Sequence, residues 1–258
     1  MVKGLYTAHT GLRNEQNRMD VMTNNLANVT TVGFKKEGTT SQAFSAVLAK
    51  KLKDGSVGLG REQAIGLNRP GVKIGENYID YTQGSFRITD NTFDLALSGD
   101  GFFALEFTNK AGETSTKYTR AGNFTLTNEG FLVNSDGDYV LDVNNRRIQL
   151  DPLAEADIMR DGTINQNGNR VAQIQVVDFE DYDYLERYGE TYFQPIEGAR
   201  LTNSSAEVHS GILEMANVQI VSEMVNMISI TRQYESNQKI MQTIDRTLDT
   251  AVNDLGRL

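Results

Sequence analysis

Apolar residues recur at every seventh position from Leu213: Leu213, Ile220, Met227, Tyr234, Met241, Leu248 and Leu255. Three residues after each come Ala216, Glu223, Ile230, Asn237, Ile244, Ala251 and Leu258, apolar except at Glu223 and Asn237. Steps of three and four held this long, without a proline or interior glycine, predict one long helix over 213–258 with a coiled-coil seam. At 1.5 Å per residue it would be roughly 65–70 Å long, too long for one side of an ordinary domain, so its stripe needs a cover. A second heptad segment occupies 1–29, through Leu5, Ala8, Leu12, Glu15, Met19, Met22, Leu26 and Val29, with Gly4 and Gly11 lowering helix propensity near its start. A helix of that length is marginal alone in water, and the C-terminal stripe is its natural partner. Glu15 and Glu223 would be costly if buried unpaired, which predicts partial exposure or partners from another subunit. Asn237 reads equally as a tolerated polar residue or as a register-fixing amide.

Between the two seams the period changes. Residues 37–71 are weakly patterned, with a short helix expected over 41–53 (Ala43, Phe44, Val47 and Leu48 inward) and glycine-rich loops over 54–75. From Val72 apolar runs are short, alternate with period two and are punctuated by glycine. Asp136-Gly137, Asp161-Gly162 and Asn167-Gly168 are turn dipeptides between strand-like runs, and Val171–Phe179 is a further strand candidate. The expected fold class is therefore α+β, with long N- and C-terminal helices forming a coiled-coil-like domain and an all-β domain inserted between them. The expected boundaries are 1–36 with 211–258 for the helical assembly domain, 37–71 for a variable extended segment and 72–210 for the β-rich domain.

The first helix runs into Asn24-Asn25-Leu26-Ala27-Asn28 and then Thr30-Thr31-Val32-Gly33-Phe34-Lys35. Three Asn in five residues exceed what one helix cap needs, and lean towards a hydrogen-bonded contact with another segment. This stretch resembles the N-terminal signature of the bacterial flagellar rod and hook proteins. The resemblance continues through Gln83-Gly84, Asp94 to Phe103, Tyr118 to Phe124 and Gly130 to Leu141. It reaches Gly211 to Val218, Glu223 to Ile228 and Arg232 to Asn237, with Met215-Ala216-Asn217 departing slightly from the usual pattern. It implies a structural subunit of the flagellar basal-body rod that polymerises through its terminal helices into a hollow axial tube, transmits torque and encloses the export channel. It further implies contacts with copies of itself, with other rod and hook axial proteins and with the flagellar export apparatus. The location implied is the basal body, crossing the periplasm and cell wall, with export that uses no cleaved signal; a distal rod position is favoured over a proximal one. Seams and signature together nominate an assembly interface of Leu5, Leu12, Met19, Met22, Asn24, Asn25, Leu26, Asn28, Gly33, Phe34, Asn217, Ile220, Met224, Met227, Ile230, Tyr234, Asn237, Met241, Ile244, Leu248 and Leu255.

Charge and chemistry narrow the alternatives. A net charge of −9 argues against a nucleic-acid binder. No apolar run approaches a membrane span, so no direct membrane insertion is expected. The N-terminus lacks a basic and apolar signal-peptide pattern. Cysteine is absent, and the two histidines, His9 and His209, are far apart in sequence. No nucleophile motif occurs, Gly99-Asp100-Gly101 reads as a turn, and Asn134 to Asp138 lacks the glutamate of a calcium loop. The expectation is a protein that is not an enzyme and needs no cofactor or metal. Asp100, Asp136, Asp138 and Asp161 are explained as turn formers. The acidic, aromatic run Asp178 to Glu186 reads either as a solvated strand or as a contact surface for a basic partner. The alternative of a different class is a β-rich glycan-binding module, or a glycan-active enzyme, tethered by a coiled coil. An enzyme of that kind needs a carboxylate pair about 5–10 Å apart.

Overall fold

The computed structural model describes residues 2–51, 63–110 and 112–253. The chain forms two compact units, Met1–Leu26 with Glu37–Asp80 and Ile220–Leu258, and Ala27–Lys36 with Tyr81–Gln219.

The first unit holds helices α1 (Val2–Ala27) and α2 (Ile220–Asn253) and strands β1 (Glu37–Ala43), β2 (Val47–Lys51), β3 (Gln63–Asn68) and β4 (Val72–Ile79). β1 pairs antiparallel with β4 from Glu37↔Ile79 to Ala43↔Val72, with a bulge between Thr39 and Ser41. β2 pairs antiparallel with β3 from Val47↔Asn68 to Lys51↔Gln63. Polar contacts tie these strands and their links to α1: the Thr7 hydroxyl donates to the Pro70 carbonyl at 2.8 Å, and the Ser41 hydroxyl donates to Asn14 Oδ1 at 3.1 Å. The helix expected over 41–53 is thus replaced by strand ends, and part of the expected loop region is β3 and β4. Residues 52–62, which hold the last two positions of that expected helix and the start of that loop, lie outside the described residues. The apolar run from Ala43 to Leu48 is short enough to suit a strand as well as a helix, and the pairing of Val47 with Asn68 and Leu48 with Leu67 decides for the strand.

The expectation of a coiled-coil-like helical domain is overturned. Among the described residues there are two α-helices, one near each end, and the body is dominated by strands. Nor does the C-terminal helix begin at Leu213. Residues Ile212–Glu214 form a strand, and α2 starts at Ile220 with 34 residues, about 51 Å long. Gly211, at φ 76°, turns the chain into that strand.

The second unit supplies the β-rich body. Its strands are β5 (Phe86–Ile88), β6 (Leu95–Ser98), β7 (Phe102–Thr108), β8 (Thr114–Thr119), β9 (Thr125–Leu126), β10 (Leu132–Val133), β11 (Tyr139–Val140), β12 (Ala156–Ile158), β13 (Thr163–Gln166) and β14 (Asn169–Gln173). They continue with β15 (Val176–Phe179), β16 (Leu185–Tyr188), β17 (Tyr192–Pro195), β18 (Leu201–Asn203), β19 (Glu207–Ser210) and β20 (Ile212–Glu214). The largest sheet runs β16-β17-β8-β7-β11-β10-β9, with β15 joining β7 to β18. β12-β13-β14 form a three-stranded sheet, and β19-β6 and β20-β5 are two-stranded. The turn dipeptides fall where expected. Gly137 closes the β10–β11 hairpin at φ 90°, and Asn167-Gly168 joins β13 to β14 with both residues at positive φ, as a type I′ turn requires.

β7 separates two packed faces. Phe103 and Leu105 point into the main core with Leu95, Leu97, Phe124, Leu132, Val140 and Ile164, all fully buried. Phe102 points the other way, among Tyr81 (6.0 Å between ring centroids), Phe193 (5.3 Å), Tyr182 (5.9 Å) and Phe179 (6.0 Å). Burial in this cluster pushes the Tyr81 phenol up to about 12, against a lowering by Arg187 and with a smaller push from Asp183. Tyr182 is raised further, by burial and then by its bond to Asp178.

A phenol whose folded pKa lies above its unfolded value of about 10 adds stability that is complete below that pH and is lost as pH rises through the folded pKa. We therefore expect the melting temperature to fall between pH 10 and about 12, and Tyr81→Phe to fall less steeply in that window. Equal slopes in a pH series of thermal melts would show that Tyr81 is not responsible.

Candidate functional site

The segment after α1 is built into the β-rich unit. The Gly33 N–H donates to the Glu214 carbonyl at 2.8 Å. Gly33 has φ 69°, and a Cβ there would lie 2.3 Å from the Ala121 nitrogen, so only glycine fits. Phe34 is buried with Val29, Ala216 and Val218. The Arg187 guanidinium covers the Phe34 ring at 4.6 Å and donates to the Lys35 carbonyl.

Beside this lies a buried ionic network. Lys35 Nζ donates to Glu214 Oε1 at 2.7 Å and to the Thr82 carbonyl at 2.8 Å. The Gly84 N–H donates to the same carboxylate oxygen at 2.9 Å, and Arg120 Nη1 reaches Glu214 Oε2 at 3.5 Å. The side chains of Lys35, Glu214 and Arg120 are 1%, 1% and 3% exposed. Arg120 also lies 5.3 Å over the Phe102 ring, which joins the network to the aromatic face. Asn217 completes the arrangement. Its Oδ1 accepts from the Lys36 N–H at 2.7 Å, and its Nδ2 donates to the Thr82 carbonyl and hydroxyl, both at 3.1 Å. Gly33, Phe34 and Asn217 are thereby committed to contacts within the chain, and Asn28 is buried and accepts at Oδ1 from the Thr31 hydroxyl at 3.1 Å. Sequence reasoning missed Lys35, Arg120, Arg187 and Glu214 as contact residues, because pairing between charges far apart in the sequence leaves no local pattern.

In the helical unit, Asn25 makes the segment contact that the asparagine cluster suggests. It is buried, donates from Nδ2 to the Glu37 carbonyl at 2.7 Å and accepts from the Glu37 N–H at 2.9 Å. Asn24 is exposed. Leu5, Leu12, Met19, Met22 and Leu26 are half-buried on α1. On α2, Ile230 is buried, while Met227, Tyr234, Asn237, Met241, Ile244 and Leu248 are half-buried at the expected three-and-four spacing. Leu255 lies outside the described residues. The helices meet through glycine: a Cβ on Gly4 would lie 3.3 Å from Ile244 Cδ1, and one on Gly11 2.9 Å from Asn237 Nδ2. The two contacts are seven residues apart on both helices, running in opposite directions, so Asn237 sits over a position with no side chain. Glu15 and Glu223, expected to be partly exposed or paired across subunits, are both buried; Glu15 bonds Arg18 at 3.0 Å within its own helix.

Two nominated residues face away from that packing. Ile220 is 47% and Met224 50% exposed, and Val221, Val225 and Ile228 beside them are 75%, 60% and 53% exposed. Their spacing makes a second apolar stripe over the first turns of α2. Sequence reasoning missed Val221, Val225 and Ile228 because it followed one seam. The signal was present as apolar residues on two faces of one helix.

The carboxylates considered for chemistry are otherwise engaged. Asp136 and Asp138 both approach the Tyr192 hydroxyl, at 2.8 and 2.6 Å, and Asn134 Oδ1 accepts from the N–H groups of both. Burial and these two carboxylates raise the Tyr192 phenol far above its ordinary value. Gly99 and Gly101 both have positive φ, in keeping with a turn. Among the described residues no group of His, Asp and Glu could hold a metal ion, and no helix is long and apolar enough to cross a membrane.

Three family models match in chain order. They describe a flagella basal body rod protein over 5–35, a flagellar hook protein FlgE/F/G D1 domain over 96–171, and a flagellar basal body rod FlgEFG protein C-terminal region over 209–255. The chain is 33% identical to the flagellar basal-body rod protein FlgG of Bacillus subtilis, over 98% of this chain and 99% of that one. It belongs to the flagellar basal-body rod proteins. It is also 33% identical, over the full length of both, to the rod protein FlgF of Caulobacter vibrioides. A flagellar hook-basal body complex protein of Bacillus subtilis, FlhO, is 28% identical, again over the full length of both chains. The protein is thus a structural rod subunit of the flagellar basal body, and these matches give the glycan-module alternative no support. The first terminal model ends at Lys35 and the last begins at His209, so the Lys35–Glu214 pair joins the two ends of the rod-protein sequence, while Gly84 and Arg120 come from between them.

Removing one partner from a buried ion group leaves uncompensated charge and costs about 3–5 kcal/mol. Glu214→Gln preserves shape and acceptor while leaving Lys35 and Arg120 without their anion. We expect it to destabilise the rod protein by about that amount, read as a lowered midpoint in urea. A midpoint within error of the unmodified protein would mean the network is already neutralised without Glu214.

Proposed function

We propose that this rod protein polymerises through the outward faces of its terminal helices into a hollow axial tube. The tube transmits torque and encloses an export channel, and its role is structural rather than enzymatic. Copies of itself and other rod and hook axial proteins are the neighbours, the flagellar export apparatus delivers it, and the polymer crosses the periplasm. The observation that carries the reading is the uncovered stripe of Ile220, Val221, Met224, Val225 and Ile228. Large exposed apolar side chains adjoining on one helix face are what a partner surface requires. A groove of about 440 Å³, lined by Leu26, Met224, Met227, Ile228, Thr231, Arg232 and Glu235, lies along the same region and gives that face relief. The half-buried residues Met227 to Leu248 complete the interface from beneath, holding α2 against α1 so that the stripe points outward. Residues that are fully internal, such as Phe34 and Ile230, support assembly by fixing the fold.

Exposed substitutions normally change stability by no more than about 0.5 kcal/mol. Val225→Asp with Ile228→Asp is therefore expected to leave the melting temperature in place and to abolish polymer in sedimentation. Met241→Asp is expected to lose polymer together with helical stability. Polymer of normal amount from the Val225/Ile228 double variant would refute the outward stripe as the assembly face.

A further inference from the structure

The charges of this chain are divided unevenly between its units. The helical unit has thirteen Lys and Arg against twelve Asp and Glu, and the β-rich unit twelve against twenty-two, so the net −9 combines +1 with −10. Within the helical unit a groove of about 360 Å³ is lined by Tyr6, His9, Arg13, Phe44, Lys73 and Ile74, among others. The Tyr6 and Phe44 rings stand 6.3 Å apart and tilted by 42°. Arg13 and Lys73 are exposed, and neither is ion-paired among the described residues. Aromatic walls with two unneutralised cations suit an acidic peptide that also carries an aromatic side chain.

The β-rich unit presents such a segment. The short 3₁₀ turn Tyr182–Tyr184 is capped by Asp181, which accepts from the Asp183 N–H at 3.0 Å. It is anchored by Tyr182, whose hydroxyl donates to Asp178 at 2.8 Å. Outward from this anchored turn project Glu180, Asp183 and Tyr184, the last 41% exposed. Among the described residues the Glu180 carboxylate pairs with Arg200 alone, at 3.6 Å, with both side chains mostly exposed, a pairing worth little. A turn already fixed in shape loses little freedom on docking.

We propose that the Glu180–Tyr184 turn of one copy docks in the Arg13/Lys73 groove of a second copy. The inference rests on the self-assembly reading above and adds a second, electrostatic contact to it. The two surfaces differ, so the contact is head-to-tail, and repeating it extends an open polymer. It also offsets the repulsion between β-rich units of like charge.

The test exploits the absence of cysteine. Disulfide formation needs Cα atoms within about 7 Å. Full-length Lys73→Cys and Asp183→Cys proteins are mixed under assembly conditions and oxidised, with Asp157→Cys, on an exposed part of another strand, as the control partner. A disulfide-linked heterodimer is expected with Asp183→Cys and not with Asp157→Cys. In parallel, Arg13→Glu with Lys73→Glu, and separately Glu180→Lys with Asp183→Lys, should each raise the concentration needed for assembly by about tenfold at low salt, and less at high salt. Combining all four substitutions in one chain should restore assembly, and circular dichroism checks that each variant is folded. Polymer that forms without the heterodimer, or that ignores the charge exchange, overturns this docking and leaves self-assembly through α2 standing. Absence of both polymer and heterodimer overturns the docking and self-assembly together.

Discussion

Glu214 is the constraint on which the β-rich unit depends. A carboxylate and two cations taken out of water carry a large desolvation cost, so each must keep its partners in place. Here the partners come from segments far apart in sequence: Lys35 is 179 residues from Glu214, and Arg120 is 94. Gly84 adds a backbone donor, and Thr82 receives both the Lys35 ammonium and the Asn217 amide. The chain leaves this unit after Lys36, re-enters at Tyr81 and leaves again after Gln219. A single buried carboxylate therefore gathers three segments of this unit that the sequence keeps far apart. Phe34 and Gly33 strengthen the same junction, one by filling a small apolar site and the other by fitting where no side chain can.

Much of the fold is legible from the residues, for reasons that also explain the failures. The turn dipeptides report local geometry, and a left-handed conformation at Asn167-Gly168 needs no distant information. The seam along α2 reports a face, and the half-buried positions from Met227 to Ala251 follow it. Its upper end misleads because Leu213, Ala216 and Val218 are apolar for other reasons. Leu213 lies in a strand paired with Phe86–Ile88, while Ala216 and Val218 pack on Phe34. Over so few residues, a seam and a strand followed by a turn look alike. The Glu214 network left no readable trace, since pairing between distant charges has no sequence period. The Asp178 to Glu186 run proved divided. Phe179 and Leu185 are buried, and Tyr182 is anchored to Asp178, while the other carboxylates and Tyr184 remain at the surface.

The asparagines show how one residue type acquires three uses. Asn25 imitates a strand partner by bonding both backbone groups of Glu37. Asn217 joins the segment after α1 to Thr82. Asn237 lies over Gly11, where the missing side chain leaves room for an amide between two helices. Their clustering near the ends of the sequence signals hydrogen-bonded joints, yet sequence alone does not say whether a joint lies within a chain or between chains.

Helix α2 resolves that ambiguity for the apolar positions. A side chain packed on α1 cannot also cover a neighbouring copy. Ile230 is fully buried, and Asn237 and Ile244 of the seam lie against Gly11 and Gly4 of α1, so the seam's first task is to hold the helical pair together. The residues with surface to give are those one step around the helix, where Val221 and Val225 expose more than half their area. An assembly face must be added to a fold already satisfied, and α2 has room for both because two apolar stripes share one helix. In the assembly proposed above, the stripe that first identifies the helix therefore acts through stability. The less regular stripe beside it, of which the heptad count selects Ile220 alone, is the one with exposed surface left for contact.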